Sequence, residues 1–139
     1  MQKNDNATQV INQMFKAFKT GNTSELLKTI SEDSLWIYKG PEELPYTGEY
    51  KGKKGVESFI TGISAYVEVL DFQIFKIVSD GETVFVSGLE KQRIKSNDKI
   101  LEQKWVQIYT VKDGLITSME EFADTAYALE LFQSKAQHS

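Results

Sequence analysis

The chain has 139 residues, 40% hydrophobic and 12% aromatic, which suits one domain with a real core and leaves little room for a second. Sixteen Lys plus Arg against twenty Asp plus Glu give a net charge of -4, and Arg93 is the single arginine, which argues against a phosphate-binding basic surface. The absence of cysteine excludes disulfides, thiolate nucleophiles and Cys-based zinc sites, and the one histidine, His138, stands next to last, where tails are usually disordered.

The polar start, Met1 to Asn6, lacks the apolar run of a secretory signal, and nowhere do about 18 apolar residues follow one another. A soluble, cytoplasmic protein without nucleic-acid or membrane partners is expected. Val10, Ile11, Met14, Phe15 and Phe18 recur at three- and four-residue steps, predicting an amphipathic helix over 7–20 that Gly21-Asn22 stops. Thr23 offers an N-cap hydroxyl to a short second helix carrying Leu26, Leu27 and Ile30, and Ser31-Glu32-Asp33 reads as a polar turn after it. A short aromatic strand around Trp36 then enters a loop with Pro45, Tyr46, Gly48 and Tyr50. A third helix over 53–66 places Val56, Phe59, Ile60 and Ile63 on one face.

Beyond Val67 the pattern becomes extended. Strands are predicted over 69–78, 83–95, 100–111 and 115–123, separated by turns at Asp80-Gly81, Ser96-Asn97-Asp98 and Lys112-Asp113-Gly114. A helix over 124–132 closes the chain. Helices followed by hairpin-linked strands specify an α+β domain, a curved antiparallel sheet wrapped around helices and leaving a conical cavity. One domain over 1–139 is expected, with 1–6 and 133–139 as flexible tails.

Four stretches carry a family resemblance: Phe15-Lys16-Ala17-Phe18 with Gly21-Asn22, Asp33 to Gly40, Pro45-Tyr46-Thr47-Gly48-Glu49-Tyr50-Lys51-Gly52, and Lys112-Asp113-Gly114-Leu115-Ile116 leading to Asp124-Thr125. On these the chain resembles the nuclear-transport-factor-2-like cone fold, and within it the SnoaL-like polyketide cyclases and ketosteroid-isomerase-like proteins. The isomerases of that family move a proton with an aspartate while a tyrosine and a protonated acid donate hydrogen bonds to the enolate oxygen. The resemblance places those three positions on Met14, Tyr38 and Val106, none of which can act in the inherited way, so the steroid isomerase set is absent. The cyclase branch implies a carboxylate near the end of the last strand, where Glu121 and Asp124 stand.

Strand alternation supplies the candidate cavity wall. With Val106 inside, Lys104, Ile108 and Thr110 also face in, and Trp105, Gln107 and Tyr109 face out. Val84, Val86, Gly88 and Glu90 line the neighbouring strand, and Met119, Glu121 and Ala123 the last. Glu90 and Glu121 in an apolar cavity would have raised pKa values suited to acid/base work, or one of them pairs with Lys104 and merely satisfies polar atoms. Asp124 is a catalytic candidate or a plain N-cap. Tyr38 would donate a hydrogen bond to an oxyanion, and Met14, Trp36, Phe59, Val86 and Val106 would hold apolar ligand parts or simply fill the core. Tyr46 and Tyr50 would gate the mouth or have no role. Trp105 and Tyr109 on the outer face would pair two copies into a homodimer.

The function expected is cofactor-free and metal-free proton transfer on a small hydrophobic, carbonyl-bearing molecule, of isomerase, cyclase or hydrolase type. The alternatives are a non-catalytic small-molecule-binding module and a dimeric interaction domain.

Overall fold

The computed structural model describes residues 3–134, with side chains from Asn6 onward; His138 lies outside the described residues. Helix α1 (Lys3–Lys19) begins within the stretch expected to be a tail. Its apolar stripe buries Ile11, Met14 and Phe15. The short α2 (Thr23–Leu27) is capped by Asn22, whose side chain accepts from the Glu25 N–H, rather than by Thr23.

Strand β1 (Ile30–Tyr38) starts earlier than the polar turn expected at residues 31–33. Its register is irregular between Ile30 and Leu35, so the polar stretch is accommodated as a bulge inside the strand. The loop beyond it holds a further strand, β2 (Gly48–Lys51), which leads directly into α3 (Gly52–Tyr66). The remaining elements are β3 (Val67–Asp80), β4 (Thr83–Ile94), β5 (Ile100–Lys112), β6 (Leu115–Ala123) and α4 (Thr125–Gln133).

The six strands form one curved sheet in the order β2-β1-β6-β5-β4-β3. Neighbours are antiparallel except β1 and β6, which pair in parallel and set the first strand beside the last strand of the late meander. Register shifts in β3 at 69/71 and 74/76 increase its bend. At the β5–β6 hairpin, Asp113 and Gly114 both take left-handed φ values of 52° and 78°, the geometry that matches the twist of the flanking strands.

The inner face of this sheet packs on α1 and α3. On β5 the burial alternates so that Leu101, Gln103, Trp105, Gln107, Tyr109 and Val111 face in. The parity expected for this strand is therefore reversed: Lys104 is exposed, Val106 is 43% exposed, and Trp105 and Tyr109 are 2% and 1% exposed. A homodimer built on Trp105 and Tyr109 is excluded by the same observation. The parities expected for β4 and β6 agree with the structure, with Val84, Val86, Met119 and Glu121 buried.

The reversal on β5 has a steric partner on β4. Trp105 sits opposite Gly88, and a Cβ there would collide with the indole and with the Gln73 carbonyl. The missing side chain lets the indole lie against the sheet, where it stacks on Phe72 with centroids 5.3 Å apart and planes 17° apart.

Candidate active site

Between the inner face and helices α1 to α3 lies a cavity of about 470 Å³. Its wall is largely aromatic, with Trp36, Tyr38, Tyr46, Phe59, Trp105 and Tyr109 among the rings. Thr61 and Ser64 of α3, Glu68 of β3 and Lys95 also border it, and the Lys95 ammonium donates to the Ser64 carbonyl at 2.7 Å.

The sheet register assembles the polar interior. Glu121 lies beside Tyr38 on one side and Gln107 on the other. The Tyr109 hydroxyl donates to Gln107 Oε1 at 2.6 Å, and Gln107 Nε2 donates to Glu121 Oε1 at 3.0 Å. This chain fixes the amide orientation: an oxygen occupied by a phenol leaves only the NH₂ for the carboxyl. Glu121 Oε2 is then the atom free to meet a ligand.

Glu121 is 9% exposed, and no cation pairs with it among the described residues. Burial pushes its carboxyl up to about 8, against the Gln107 hydrogen bond and with further help from the Glu90 charge. Glu90 is also raised by burial, with the Gln92 side chain opposing. Burial first, and the two glutamates second, hold the Tyr38 hydroxyl far above its ordinary range, so it remains a donor at any physiological pH. Tyr46 is shifted the same way by burial and the same acids. The two phenols meet edge-on at 5.0 Å, yet the Tyr46 hydroxyl makes no well-formed hydrogen bond.

Among the expected site residues, the structure brings Met14, Trp36, Tyr38, Tyr46, Phe59, Glu90 and Glu121 together around one space. Five others fall elsewhere. Lys104 and Val106 lie on the opposite face, which removes the Lys104 ion pair with a glutamate. Val86 is fully buried behind the cavity wall. Asp124 is exposed at the start of α4, where its carboxylate accepts from the Tyr127 N–H at 3.2 Å, so it acts as an N-cap. The Tyr50 hydroxyl donates to the Tyr46 carbonyl at 2.7 Å and its ring packs on Phe59 at 4.8 Å, which makes it a support for the wall and not a gate. Tyr46 itself, 3% exposed, is wall.

Sequence reasoning missed Gln92, Gln103, Gln107, Trp105 and Tyr109. A signal was present: the three charged residues of β5, Glu102, Lys104 and Lys112, all share one parity and so mark the solvent face.

Among the described residues no three His, Cys, Asp or Glu side chains gather as a metal-binding group, and no helix is long and apolar enough to cross a membrane. No curated protein matches the sequence. Solved structures do. An NTF2-like protein from Burkholderia xenovorans LB400 is 29% identical over 94% of this chain and 98% of its own, with a TM-score of 0.84. An NTF2-like protein of unknown function from Burkholderia pseudomallei K96243 is 22% identical over 93% and 98%, with a TM-score of 0.82. TerC, co-crystallized with polyporic acid, is 20% identical over 93% and 99%, with a TM-score of 0.79. The last two, at such identity, speak for the fold alone. The profile of the SnoaL-like domain matches residues 11–119, so the chain belongs to the SnoaL-like family, on the NTF2-like fold that its curved sheet and covering helices display.

Proposed function

We propose that the cavity binds a small, mainly apolar, carbonyl-bearing molecule and that Glu121 shuttles a proton on it without help from a metal or organic cofactor. The observation that carries this reading is a carboxyl buried among aromatic rings, tethered through one oxygen by Gln107 and with no counter-cation among the described residues. Such a group is neutral in the empty protein near pH 7 and changes charge close to working pH, which is what proton transfer requires. In this scheme Glu121 Oε2 removes a proton from the carbon next to the carbonyl. The electron pair moves to the carbonyl oxygen, and the phenols of Tyr38 and Tyr46 donate to the resulting oxyanion. In a β,γ-unsaturated ketone, return of the proton from Glu121 to the γ carbon of the dienolate gives an isomerisation; attack of the enolate carbon on a second carbonyl of the same molecule forms a carbon–carbon bond and an alkoxide that takes the proton from Glu121, which gives a cyclisation.

The experiment is α-hydrogen exchange of 2-tetralone and 2-indanone in D₂O, followed by proton NMR. Wild type should exceed background, with a rate that climbs with pH and levels off above about 8 as Glu121 becomes the free base. Glu121→Gln should remove the enhancement. Ketone binding without exchange in the wild type would overturn the reading in favour of a non-catalytic binding module.

The outer face also supports a second copy of this chain as partner. Phe75, Val78, Phe85, Val106 and Phe122 are 41–52% exposed there. Lys76, Lys104, Glu102 and Glu120 surround this apolar middle with both signs, so self-association needs no oppositely charged protein. Sedimentation of the wild type should give a dimer, and Val106→Glu a monomer.

A further inference from the structure

One corner of the cavity holds a buried carboxyl and a buried amide oxygen that is left without a donor. Glu90 and Gln92 stand two residues apart on β4 and so point to the same, inner face. Gln92 is 6% exposed, and its side-chain oxygen accepts no hydrogen bond among the described residues. Glu90 lies opposite Phe72, the ring stacked on Trp105. The ion pairs of the described residues lie elsewhere: Lys28 with Glu25, Lys39 with Glu120, Lys53 with Glu32, and Arg93 with Glu68 and Asp98. Lys95, the basic side chain at the cavity border, is bound to the Ser64 carbonyl.

Resting on the reading of this cavity as a ligand site, we propose that the ligand also carries a protonated amine, seated against Glu90, the Gln92 side-chain oxygen and the Phe72–Trp105 rings. An ammonium offers donors and no acceptor, so it satisfies both oxygens at once, and its charge is attracted by aromatic faces. A carboxylate or phosphate placed here would meet two buried acids, while the Lys95 ammonium at the cavity border is held by the Ser64 carbonyl. A ligand bearing only a carbonyl leaves the Gln92 oxygen without a donor.

The titratable and charged groups around this corner are Glu121 from β6, Tyr38 from β1, Tyr46 from the loop before β2, Tyr109 from β5, Lys19 from α1, whose ammonium lies 5.9 Å from the Phe72 ring centre, and at the border Glu68 from β3 and Lys95 after β4. The phenols stay neutral. Glu121, held at about 8, carries a proton at pH 6 and gives it up when a cation arrives, so amine affinity should rise from pH 6 to pH 8.

The test uses 2-phenylethylamine, 2-phenylethanol and 3-phenylpropionate, which share a ring and differ in charge. Binding is read from the fluorescence of Trp36 and Trp105 and from calorimetry in two buffers of different ionisation enthalpy. The amine should bind about tenfold tighter than the alcohol at pH 8 and release protons on binding, and the carboxylate should bind weakest. Glu90→Gln should bring the amine down to the level of the alcohol. Equal binding of amine and alcohol, an amine preference that survives Glu90→Gln, or no amine binding at all would overturn the inference. Ketone exchange that persists without an amine preference sinks this inference alone. An amine preference without ketone exchange sinks the proton-transfer reading alone.

Discussion

The two faces of β5 differ in what they do with polar groups. Outward, Glu102 and Lys104 stand in water, where a charge needs no partner. Inward, Gln103 and Gln107 are uncharged, and each is tied to a neighbour: Gln103 Nε2 donates to the Asp124 carbonyl at 3.1 Å, and Gln107 bridges Tyr109 and Glu121. Burial makes unpaired charge expensive, so the interior is built from amides and phenols, with Glu90 and Glu121 as its acids. The contrast teaches that Glu121 is an exception inside the cavity, whereas an identical side chain at Glu120, one residue away, pairs with Lys39 at 3.6 Å on the surface.

The largest expected effect follows from breaking that exception. A carboxyl held at about 8 in the folded protein and near 4.5 when unfolded binds its proton more tightly in the folded state. Its contribution to stability is therefore full below pH 4.5 and is lost as pH rises to about 8. Urea unfolding of the wild type should lose about 4 kcal/mol from this group between those limits, and Glu121→Gln should flatten that part of the profile. The outer Glu120→Gln should leave the profile unchanged.

The next effect comes from the inner face between the two acids. Gly88→Ala inserts a methyl group where the Trp105 indole and the Gln73 carbonyl already lie. A loss of about 3 kcal/mol is expected by urea unfolding, with a shift in tryptophan emission as the indole moves off Phe72. The smallest effect should come from Asp124→Ala. It removes one cap hydrogen bond at an exposed helix start, costs about 1 kcal/mol by thermal unfolding, and leaves ligand binding unaltered.

Much of this arrangement could be read from the residues. The period-2 alternation of Met119, Glu121 and Ala123 on β6 put the key carboxyl inside, and that of Val84 through Glu90 did the same on β4, because apolar partners flank the acids on both strands. The β5 parity was lost because Trp105 and Tyr109 alternate with glutamines, so both faces carry a mixture, and the inherited acid position fell on Val106. The β4 neighbour agrees with the charges at Glu102, Lys104 and Lys112 in deciding the matter: an indole needs space, and Gly88 supplies it. Strand β2 was hidden because four residues with a glycine at their head carry no period, and its pairing with β1 is a tertiary fact. Asp124 shows the opposite limit, since a carboxylate at a strand end looks the same whether it caps a helix or serves a ligand until its Tyr127 N–H partner is seen.

The account rests most directly on the protonation of one side chain. A carbon-detected NMR titration of the Glu121 carboxyl in the folded, ligand-free protein should show a midpoint near 8. A midpoint near 4.5, the ordinary value for an exposed glutamate, would contradict the account.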